Sequence, residues 1–541
     1  FNNAAECRER SRHTLQTAAD NAIHGGAASG LQKSTAAMLK AFRGPSEAVA
    51  FGRMTPVEET AETFYIGYQN IDSDRRDTLV MNWQADAAAP YYRATIGDAE
   101  GLASKREYSC RENAILSWSD TVFEHLQADV TELIARASGE PTITDSLLDA
   151  LDGGRGQEMQ DIVRTIQAAQ YELLRSPLDQ LLVIQGGPGT GKTAVALHRV
   201  SWILFNHQDQ LSPKDLLVVG PSKTFLRYIR DILPGLGDIE VDHQSIESLA
   251  PQVSVSEAEE TGTRRLKGDL KMKDLIDRNL KHRVRVPHDP ITFGKGRREI
   301  ILTRDSIEAI VNPLLRRPYA EGRDAFRREL ETRVSEGSLH LADHADDLAR
   351  TIDRVWPSLT APAMVRELLG SKERLLAAAG DAFSAQDVNR LYRQSAERIS
   401  EQPWSSADLP LLDYANWRIT GDRSRYQHVV VDEVQDLSPM ELDMLARRSV
   451  RGSMTILGDL AQSTGASARD AWDDVVEVLA QELPVVIESL EFGNREPRQL
   501  FEIAAQQLPH IAPQIDAPRP ERDVPTNPNL VQTTADDLPA K

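Results

Sequence analysis

The stretch LLVIQGGPGTGKTAVALHRV, residues 181–200, decides the fold. An apolar run, LLVIQ, ends at a glycine-rich turn, and a Lys-Thr pair then begins a helical pattern. A short, continuous apolar run is typical of a parallel strand that is covered on both faces. Glycines let backbone N–H groups approach phosphate oxygens, and the following helix presents the positive end of its dipole. The stretch therefore predicts a strand, a phosphate-binding loop and a helix.

Eight consecutive residues match the P-loop pattern, and all eight are predicted ATP ligands: Gly186, Gly187, Pro188, Gly189, Thr190, Gly191, Lys192 and Thr193. Lys192 is predicted to contact the β- and γ-phosphates of ATP, and the Thr193 hydroxyl is predicted to bind Mg²⁺. Average residue frequencies give such a match a chance probability of roughly 2% in a chain of this length. An ordinary glycine-rich turn is therefore the weaker interpretation.

A second buried strand is predicted at HVVVDEVQD, residues 428–436, where two carboxylates follow three valines. Ligands of open α/β sheets bind at the carboxyl ends of the strands, so Asp432 is predicted to hold Mg²⁺. Its neighbour Glu433 is predicted to orient and deprotonate the attacking water. An acidic surface turn is the alternative, and the P-loop in the same chain disfavours it.

Four further residues are weaker candidates. Gln462, in TILGDLAQST, follows a third predicted strand and is a candidate sensor of the γ-phosphate. Arg495, in ESLEFGNREPRQL, is a candidate cation for the charge that develops on phosphate during hydrolysis. Gln170 lies just before the P-loop strand, where its amide could contact the adenine edge, and Arg199 on the first P-loop helix is a candidate ATP ligand. Its neighbour His198 is better explained by packing.

The distribution of apolar residues divides the chain. Residues 1–45 have helical spacing, and the runs ETFYIGYQNI and TLVMNWQ predict a small β-hairpin around the turn DSDRRD. The pattern from Asn113 to Ala135 predicts a helix. Residues 157–250 alternate between helix and strand, residues 251–425 are mostly helical, and HVVVDEVQD and MTILGD restore buried strands. A strand-and-helix domain with a long helical insertion is the simplest interpretation.

Composition narrows the class of protein. The 541 residues include only Cys7 and Cys110 as cysteines, which excludes a disulfide framework and favours the cytoplasm. No apolar run approaches the ~18 residues of a membrane span, so no membrane association is expected. The formal net charge is −20, yet residues 262–330 carry 18 Lys and Arg against 10 Asp and Glu. An acidic surface repels nucleic acid, whereas this basic stretch could contact it.

Taken in order, the motifs resemble those of the UvrD/Rep-like superfamily 1 helicases. IQAAQ is similar to their Q motif, GGPGTGKT to motif I, VVGPSKTFLRYI to motif Ia, VVVDEVQD to motif II, TILGDLAQS to motif III and LEFGNREP to the start of motif IV. The segments VDEVQDLSPMELDMLARR, GSMTILGDLAQSTG and FYIGYQNIDSDRRDTLVMNWQADAAAPYYRAT resemble one branch more closely, the HelD-like proteins of Gram-positive bacteria. An actinobacterial member is expected.

The resemblance implies an α/β fold class: a P-loop RecA-like parallel sheet with a long, mostly helical insertion, a helical N-terminal arm and an incomplete second RecA-like domain. The implied domains are an arm at 1–50, a HelD-like N-terminal region at 51–150, a first RecA-like domain at 151–250 and 426–486, an insertion at 251–425, and the start of a second RecA-like domain at 487–541.

HelD-like proteins are ATPases that bind RNA polymerase, so the resemblance implies ATP and Mg²⁺ as cofactors and RNA polymerase as partner. In the family, the arm and the insertion enter two polymerase channels, displace nucleic acid and recycle stalled polymerase. Some actinobacterial members are linked to rifamycin tolerance. The resemblance implies that the partner is a protein channel lined with positive charge. The net negative charge of this chain is complementary to such a partner.

The sequence departs from the family pattern in three places. Asn494 replaces the aromatic residue that usually precedes the motif IV arginine, and Gln84 and Ala85 interrupt a run that usually contains an arginine. No segment up to Lys541 matches motifs V and VI. The chain is therefore expected to be a fragment with weak ATPase activity of its own.

Two other functions stay open. The first is a 3′→5′ DNA helicase of the same superfamily that translocates on single-stranded DNA. The second is a non-catalytic factor that occludes polymerase and uses ATP only as a switch. Lys192, Asp432 and Glu433 are all present, which argues against an inert P-loop.

Overall fold

A computed structural model describes the chain over residues 2–24, 48–58, 61–95, 97–111, 113–123, 168–187, 189–221, 241–294, 299–336, 339–421, 425–463, 467, 469, 471–490, 492–497 and 519–522.

The helices are α1 Asn2–His24, α2 Ala89–Arg93, α3 Ala168–Arg175, α4 Lys192–Asn206, α5 Thr261–Lys267, α6 Lys271–Arg283, α7 Arg304–Leu314, α8 Tyr319–Glu336, α9 Ala345–Val355, α10 Ala361–Leu369, α11 Lys372–Ala379, α12 Ala385–Leu391, α13 Leu409–Thr420, α14 Pro439–Ala446 and α15 Asp473–Leu479. The strands are β1 Gly52–Pro56, β2 Phe64–Gly67, β3 Ile71–Asp72, β4 Thr78–Asn82, β5 Leu102–Arg111, β6 Ala114–Val122, β7 Leu181–Gly186, β8 Leu216–Gly220, β9 Asp242–Ser245, β10 Val255–Glu257, β11 Ile291–Phe293, β12 Ile300–Leu302, β13 Trp404–Ser405, β14 His428–Val431, β15 Met454–Gly458, β16 Val485–Leu490, β17 Phe492–Pro497 and β18 Arg519–Arg522.

The N-terminal region is a six-stranded sheet with the order β3-β4-β2-β1-β5-β6, where a small hairpin was predicted. The two strands assigned to that hairpin, β2 and β4, do pair, but they run parallel. The turn between them instead connects β4 to the two-residue strand β3, which pairs antiparallel with β4. The predicted hairpin around DSDRRD is therefore present, but its first strand is β3, which begins at the last residue of the run ETFYIGYQNI, and not β2.

The prediction of a helix from Asn113 to Ala135 is wrong where the structure describes it. Residues 114–122 form β6, which pairs antiparallel with β5 along its length. Leu116 and Trp118 are exposed on this strand, and the Arg106 guanidinium lies 5.4 Å from the Trp118 ring centroid. The apolar residues of this outer strand are exposed and do not form the buried face of a helix. Their spacing was therefore wrongly interpreted as helical. Residues 124–135 lie outside the described residues.

The central sheet has six parallel strands in the order β16-β7-β15-β14-β8-β9. Every residue of β7, β8, β14 and β15 is buried, which explains their continuous apolar sequences. The predicted mixed α/β fold with a parallel sheet is confirmed. Because β16 belongs to this sheet, the domain boundary drawn at residue 486 falls within a strand and should lie after Leu490.

Alternation along β7 divides the core into two layers. Leu182 and Ile184 pack in the cluster that contains the apolar residues of α3 and α4 and much of the N-terminal region. Leu181 and Val183 pack on the other face against α14 and α15. The sheet is therefore covered on both sides, and the N-terminal region shares a core with α4.

Residues 251–425 are mostly helical and have a core of their own. Hydroxyl side chains cap the first turns of four helices in this insertion: Thr303, Thr360, Ser371 and Ser384. The insertion rests directly on the central domain at α14. The Gly268 carbonyl accepts a 2.9 Å hydrogen bond from the Met440 amide, and Lys273 Nζ lies 2.6 Å from Asp443 Oδ1.

A buried ion cluster holds the insertion together. Lys267 Nζ lies 2.7 Å from Asp408 Oδ1 and also contacts Glu259, while Arg393 Nη1 lies 2.7 Å from Asp408 Oδ2. Only 1% of the Lys267 side chain is exposed, and Asp408 is fully buried. Burial raises the pKa of Asp408, but the charges of Lys267 and Arg393 outweigh it and leave the pKa below its ordinary value.

Replacing Lys267 with Met should destabilise the insertion by about 3 kcal/mol, because Glu259 and Asp408 would be left buried with too little positive charge. The measurement is native-state hydrogen exchange of the α5 and α13 amides. Lys271→Met is the matched control, since that side chain is more exposed and its ion pairs are 3.9 Å long. Equal effects of the two changes would contradict the importance of the buried cluster.

Candidate functional site

The glycine-rich loop lies between the carboxyl end of β7 and the start of α4. Gly189 and Gly191 have φ angles of 72° and 82°, the left-handed region that favours glycine, and Gly191 is the N-cap of α4. A Cβ on Gly186 would lie 2.5 Å from Thr190 Oγ1, so this position also excludes a side chain. The Thr190 hydroxyl donates a 2.9 Å hydrogen bond to the Gly187 carbonyl and closes the loop. Pro188 lies outside the described residues.

The Lys192 ammonium lies across this loop. Its Nζ atom donates to the carbonyls of Gly186, at 2.6 Å, and Gly187, at 3.2 Å. Both acceptors are neutral, so a phosphate anion would be a stronger partner for the same donor. The side chain is therefore a cation held at the loop by weak partners that a phosphate could replace.

Asp432 lies directly beside the start of α4. The Thr193 hydroxyl donates to Asp432 Oδ2 at 2.7 Å, and only 7% of Asp432 is exposed. Burial is the main reason that the pKa of Asp432 is raised, and the neighbouring Glu433 raises it further. A hydroxyl beside a buried carboxylate forms a donor set that suits Mg²⁺, so these residues fit that ion.

Glu433 has an unusual backbone conformation. Its φ angle of 55° is in the left-handed region, which non-glycine residues rarely adopt. The amide of Glu433 donates to Asp432 Oδ1 at 2.9 Å, and its carboxylate accepts a 2.7 Å hydrogen bond from Gln435 Nε2. The backbone turn and the Gln435 amide together orient the Glu433 carboxylate beside Asp432.

Three residues that sequence reasoning missed connect the ends of β7, β14 and β15. Gln435 Oε1 accepts from the Asp459 amide at 3.1 Å, and Gln185 Nε2 donates to Asp459 Oδ1 at 3.0 Å. Trp472 Nε1 donates to Gln185 Oε1 at 3.1 Å. A polar residue at the end of a buried strand, as in LLVIQ, was the available signal. These amides form a rigid support behind the carboxylates.

Gln462 belongs to the same network. Its Nε2 atom donates to Asp459 Oδ2 at 2.8 Å, and the side chain is otherwise exposed. Gln462 therefore lies at the carboxyl edge of the central sheet, where Asp432 and the glycine-rich loop also lie.

Gln170, on α3, contacts the glycine-rich loop. Its Nε2 atom donates to the Thr190 carbonyl at 3.3 Å, and a Cβ on Gly191 would lie 3.6 Å from the same nitrogen. The Gln170 side-chain amide therefore lies next to the glycine-rich loop.

Residues 2–136 match a family model described as DNA helicase IV HelD, N-terminal domain. This match supports a HelD-like protein of helicase type. A search of curated proteins finds no match to the chain. The predicted actinobacterial origin and fragment status gain no support from these findings and stay predictions. Among the described residues of this HelD-like chain, no helix combines the length and apolar character needed to cross a membrane.

The hydrogen bonds of Arg199 do not go to the glycine-rich loop, which argues against the prediction that Arg199 is an ATP ligand. It is fully buried, and its Nε atom donates to Thr455 Oγ1 at 2.9 Å. Its remaining hydrogen bonds go to backbone carbonyls at the end of α3: Leu173, Leu174, Ser176 and Pro177. The guanidinium thus satisfies the last carbonyls of a helix, a structural role.

His198 has the packing role that was predicted for it, in contact with Trp83. Its ring lies 5.4 Å from that of Trp83 in an edge-to-face arrangement, and burial lowers its pKa to about 3. Arg495 lies on β17, but the structure describes only the backbone of that strand, so its role stays a prediction, as does the effect of Asn494.

Replacing Asp432 with Asn should stabilise the nucleotide-free protein while it abolishes Mg²⁺-dependent nucleotide binding. A carboxylate whose folded pKa is raised costs stability at every pH above its unfolded pKa, and that cost is relieved as the pH falls and the group protonates. The neutral amide removes the cost and can still contact Thr193 and the Glu433 amide. Thermal unfolding at pH 7, with and without Mg·ATP, measures both effects.

A lower unfolding temperature for the nucleotide-free variant would contradict this account of Asp432. Asp215→Asn is the control, because hydrogen bonds from Ser212 lower the pKa of Asp215. That change should therefore reduce stability at pH 7.

Proposed function

We propose that the chain binds ATP with Mg²⁺ at the glycine-rich loop and hydrolyses it. One observation carries the proposal: Thr193 and Asp432, which are 239 residues apart in sequence, meet at 2.7 Å beside Lys192. A hydroxyl, a carboxylate and an ammonium at the N-terminus of one helix are the groups that ATP hydrolases use to hold Mg·ATP.

The residues divide the work of hydrolysis. Lys192 and the loop amides would bind the phosphates, and Thr193 and Asp432 would hold Mg²⁺, which would neutralise phosphate charge. Glu433 is oriented by Gln435 and would position the attacking water and accept its proton. Gln462 would sense the γ-phosphate through its link to Asp459. Arg495 would supply further positive charge to the reacting phosphate.

We further propose that the chain uses ATP to bind RNA polymerase and release it from nucleic acid, an activity that would also serve rifamycin tolerance. The motifs that resemble those of HelD-like proteins motivate this proposal, and residues 2–136 match the N-terminal domain of HelD, a region distinct from the glycine-rich loop. The acidity of the chain also supports a positively charged protein channel as partner. The first helix offers a surface for such contacts: Ala4 and Cys7 are buried against the N-terminal sheet, whereas Asn2 and Asn3 are exposed.

A 3′→5′ DNA helicase is the second candidate. The matching family model is itself described as a DNA helicase, which favours DNA as a substrate. The basic stretch within residues 262–330 would then be its surface for the phosphate backbone.

Replacing Lys192 with Ala should weaken binding of Mg·ATP by roughly 10- to 100-fold, the usual worth of hydrogen bonds to a charged group. Titration calorimetry with ATP measures this loss, and phosphate release should fall with it. Lys214→Ala, which changes an exposed lysine in the same domain, should bind as tightly as the wild type. Binding by Lys192→Ala within twofold of wild type would refute the nucleotide site.

Deleting residues 1–45 should reduce capture of purified RNA polymerase much more than it reduces ATP affinity. Two probes on one protein bind with an avidity that neither has alone, so loss of one is costly. Pull-down of polymerase with the intact and shortened chains measures capture, and ATP affinity on the same samples is the control for folding.

Equal capture by both forms would refute a role for α1. A DNA titration at two salt concentrations tests the rival function in the same experiment. Tight DNA binding that falls steeply with salt, with no polymerase capture by either form, would favour the helicase.

A further inference from the structure

The helix that carries Gln170 is too short to hold its position alone. α3 spans eight residues, Ala168–Arg175, and isolated helices of that length are unstable in water. Its placement beside the phosphate loop therefore depends on the surfaces that pack around it. Those surfaces belong to two different parts of the chain.

The central domain holds one end of α3. The guanidinium of Arg199, on α4, donates to the carbonyls of Leu173 and Leu174 at 3.0 Å each. This contact fixes the last turn of α3. Gln170 lies on the first turn, so its position depends also on what contacts the rest of the helix.

The N-terminal region holds the outer side of α3 through ion pairs. Arg93 forms a two-pronged pair with Glu172, with Nε–Oε1 at 2.5 Å and Nη2–Oε2 at 3.0 Å. Arg175 Nη2 contacts Asp86 Oδ1 at 2.5 Å. A two-pronged arginine–carboxylate pair fixes orientation as well as distance.

A tyrosine stack lies next to these pairs. The rings of Tyr92 and Tyr171 are 4.6 Å apart and nearly parallel, with an angle of 12° between them. Both side chains are buried, and Tyr171 is the residue directly after Gln170. A shift of the N-terminal region against α3 would therefore displace the Gln170 amide.

We propose that Arg93 and Tyr92 are positioning residues that set the base specificity of the nucleotide site through Gln170. This inference rests on the proposed ATP site. A correctly placed glutamine amide can bind the N6 and N7 atoms of adenine together, and it cannot bind the O6 and N7 acceptors of hypoxanthine in the same way. The N-terminal region thus controls base recognition, whereas the phosphate loop binds phosphates by itself.

The test compares ATP, ITP and inorganic tripolyphosphate, each with Mg²⁺, by titration calorimetry on the 541-residue chain. The wild type should prefer ATP over ITP by roughly 10-fold or more, as expected for a two-point contact to a base. Arg93→Glu places two carboxylates together and should reduce that preference roughly fivefold. Its affinity for tripolyphosphate should stay within about twofold of wild type, because the change alters the Gln170 contact with the Thr190 carbonyl but not Lys192 or the loop amides that would bind phosphate.

Two further variants separate positioning from folding. Arg93→Glu combined with Glu172→Arg restores opposite charges and should restore most of the preference for ATP. Arg106→Glu is the matched control, because Arg106 forms a similar two-pronged pair with Asp120 in the N-terminal sheet, away from α3. That control should keep the wild-type preference.

Three results would overturn the inference. The first is an unchanged ATP preference in Arg93→Glu, and the second is an equal loss in Arg106→Glu. The third is a wild type that binds ATP and ITP equally. Tripolyphosphate binding reports separately on the phosphate site, so a failure of base recognition can be distinguished from a failure of the proposed ATP site.

Discussion

A buried guanidinium, that of Arg199, joins the elements on which the candidate site is built. A charge without exposure to solvent is costly unless hydrogen bonds replace its water. Here the replacement comes from the carbonyl end of α3, which is also the negative end of that helix dipole. Burial lowers the pKa of Arg199 to about 9, so the side chain is still charged at neutral pH. Its removal would take a charged donor from four carbonyls at the end of α3 and weaken the attachment of that end.

A second buried residue, His428, lies next to this guanidinium in the hydrogen-bond network. The Ser453 hydroxyl donates to the Leu178 carbonyl, so it must accept from His428 Nδ1, which lies 2.7 Å away. The Thr455 hydroxyl accepts from Arg199 Nε and can then donate to His428 Nε2 at 3.0 Å. His428 is therefore neutral, in agreement with a pKa that burial and the charge of Arg199 lower. With these proton positions, every hydrogen bond from Arg199 through Thr455 and His428 to Ser453 has a donor and an acceptor.

Sequence patterns predicted the parts of this protein that depend on local chemistry. Continuous apolar runs identified β7, β14 and β15, and glycine spacing identified a loop whose φ angles need glycine at Gly189 and Gly191. Tertiary roles were harder to predict. Arg199 follows the P-loop motif as a ligand would, yet the folded chain turns it toward α3. Gln185 looks like the end of a strand, and only the pairing of β7 with β15 brings it to Asp459.

The proposed nucleotide site lies between two appended regions, and short segments connect it to both. On one side, α3 carries Gln170 to the phosphate loop and Glu172 to Arg93 of the N-terminal region. On the other side, α14 begins soon after Glu433, and its Met440 amide donates to Gly268 of the insertion. A Cβ on Gly268 would lie 2.7 Å from Ser438 Cβ, so the insertion packs against the first turn of α14 without space between them. Closely packed contacts transmit small displacements, because protein interiors leave few voids to absorb them. The carboxylates are thus joined to the insertion, and Gln170 to the N-terminal region, by short and closely packed segments.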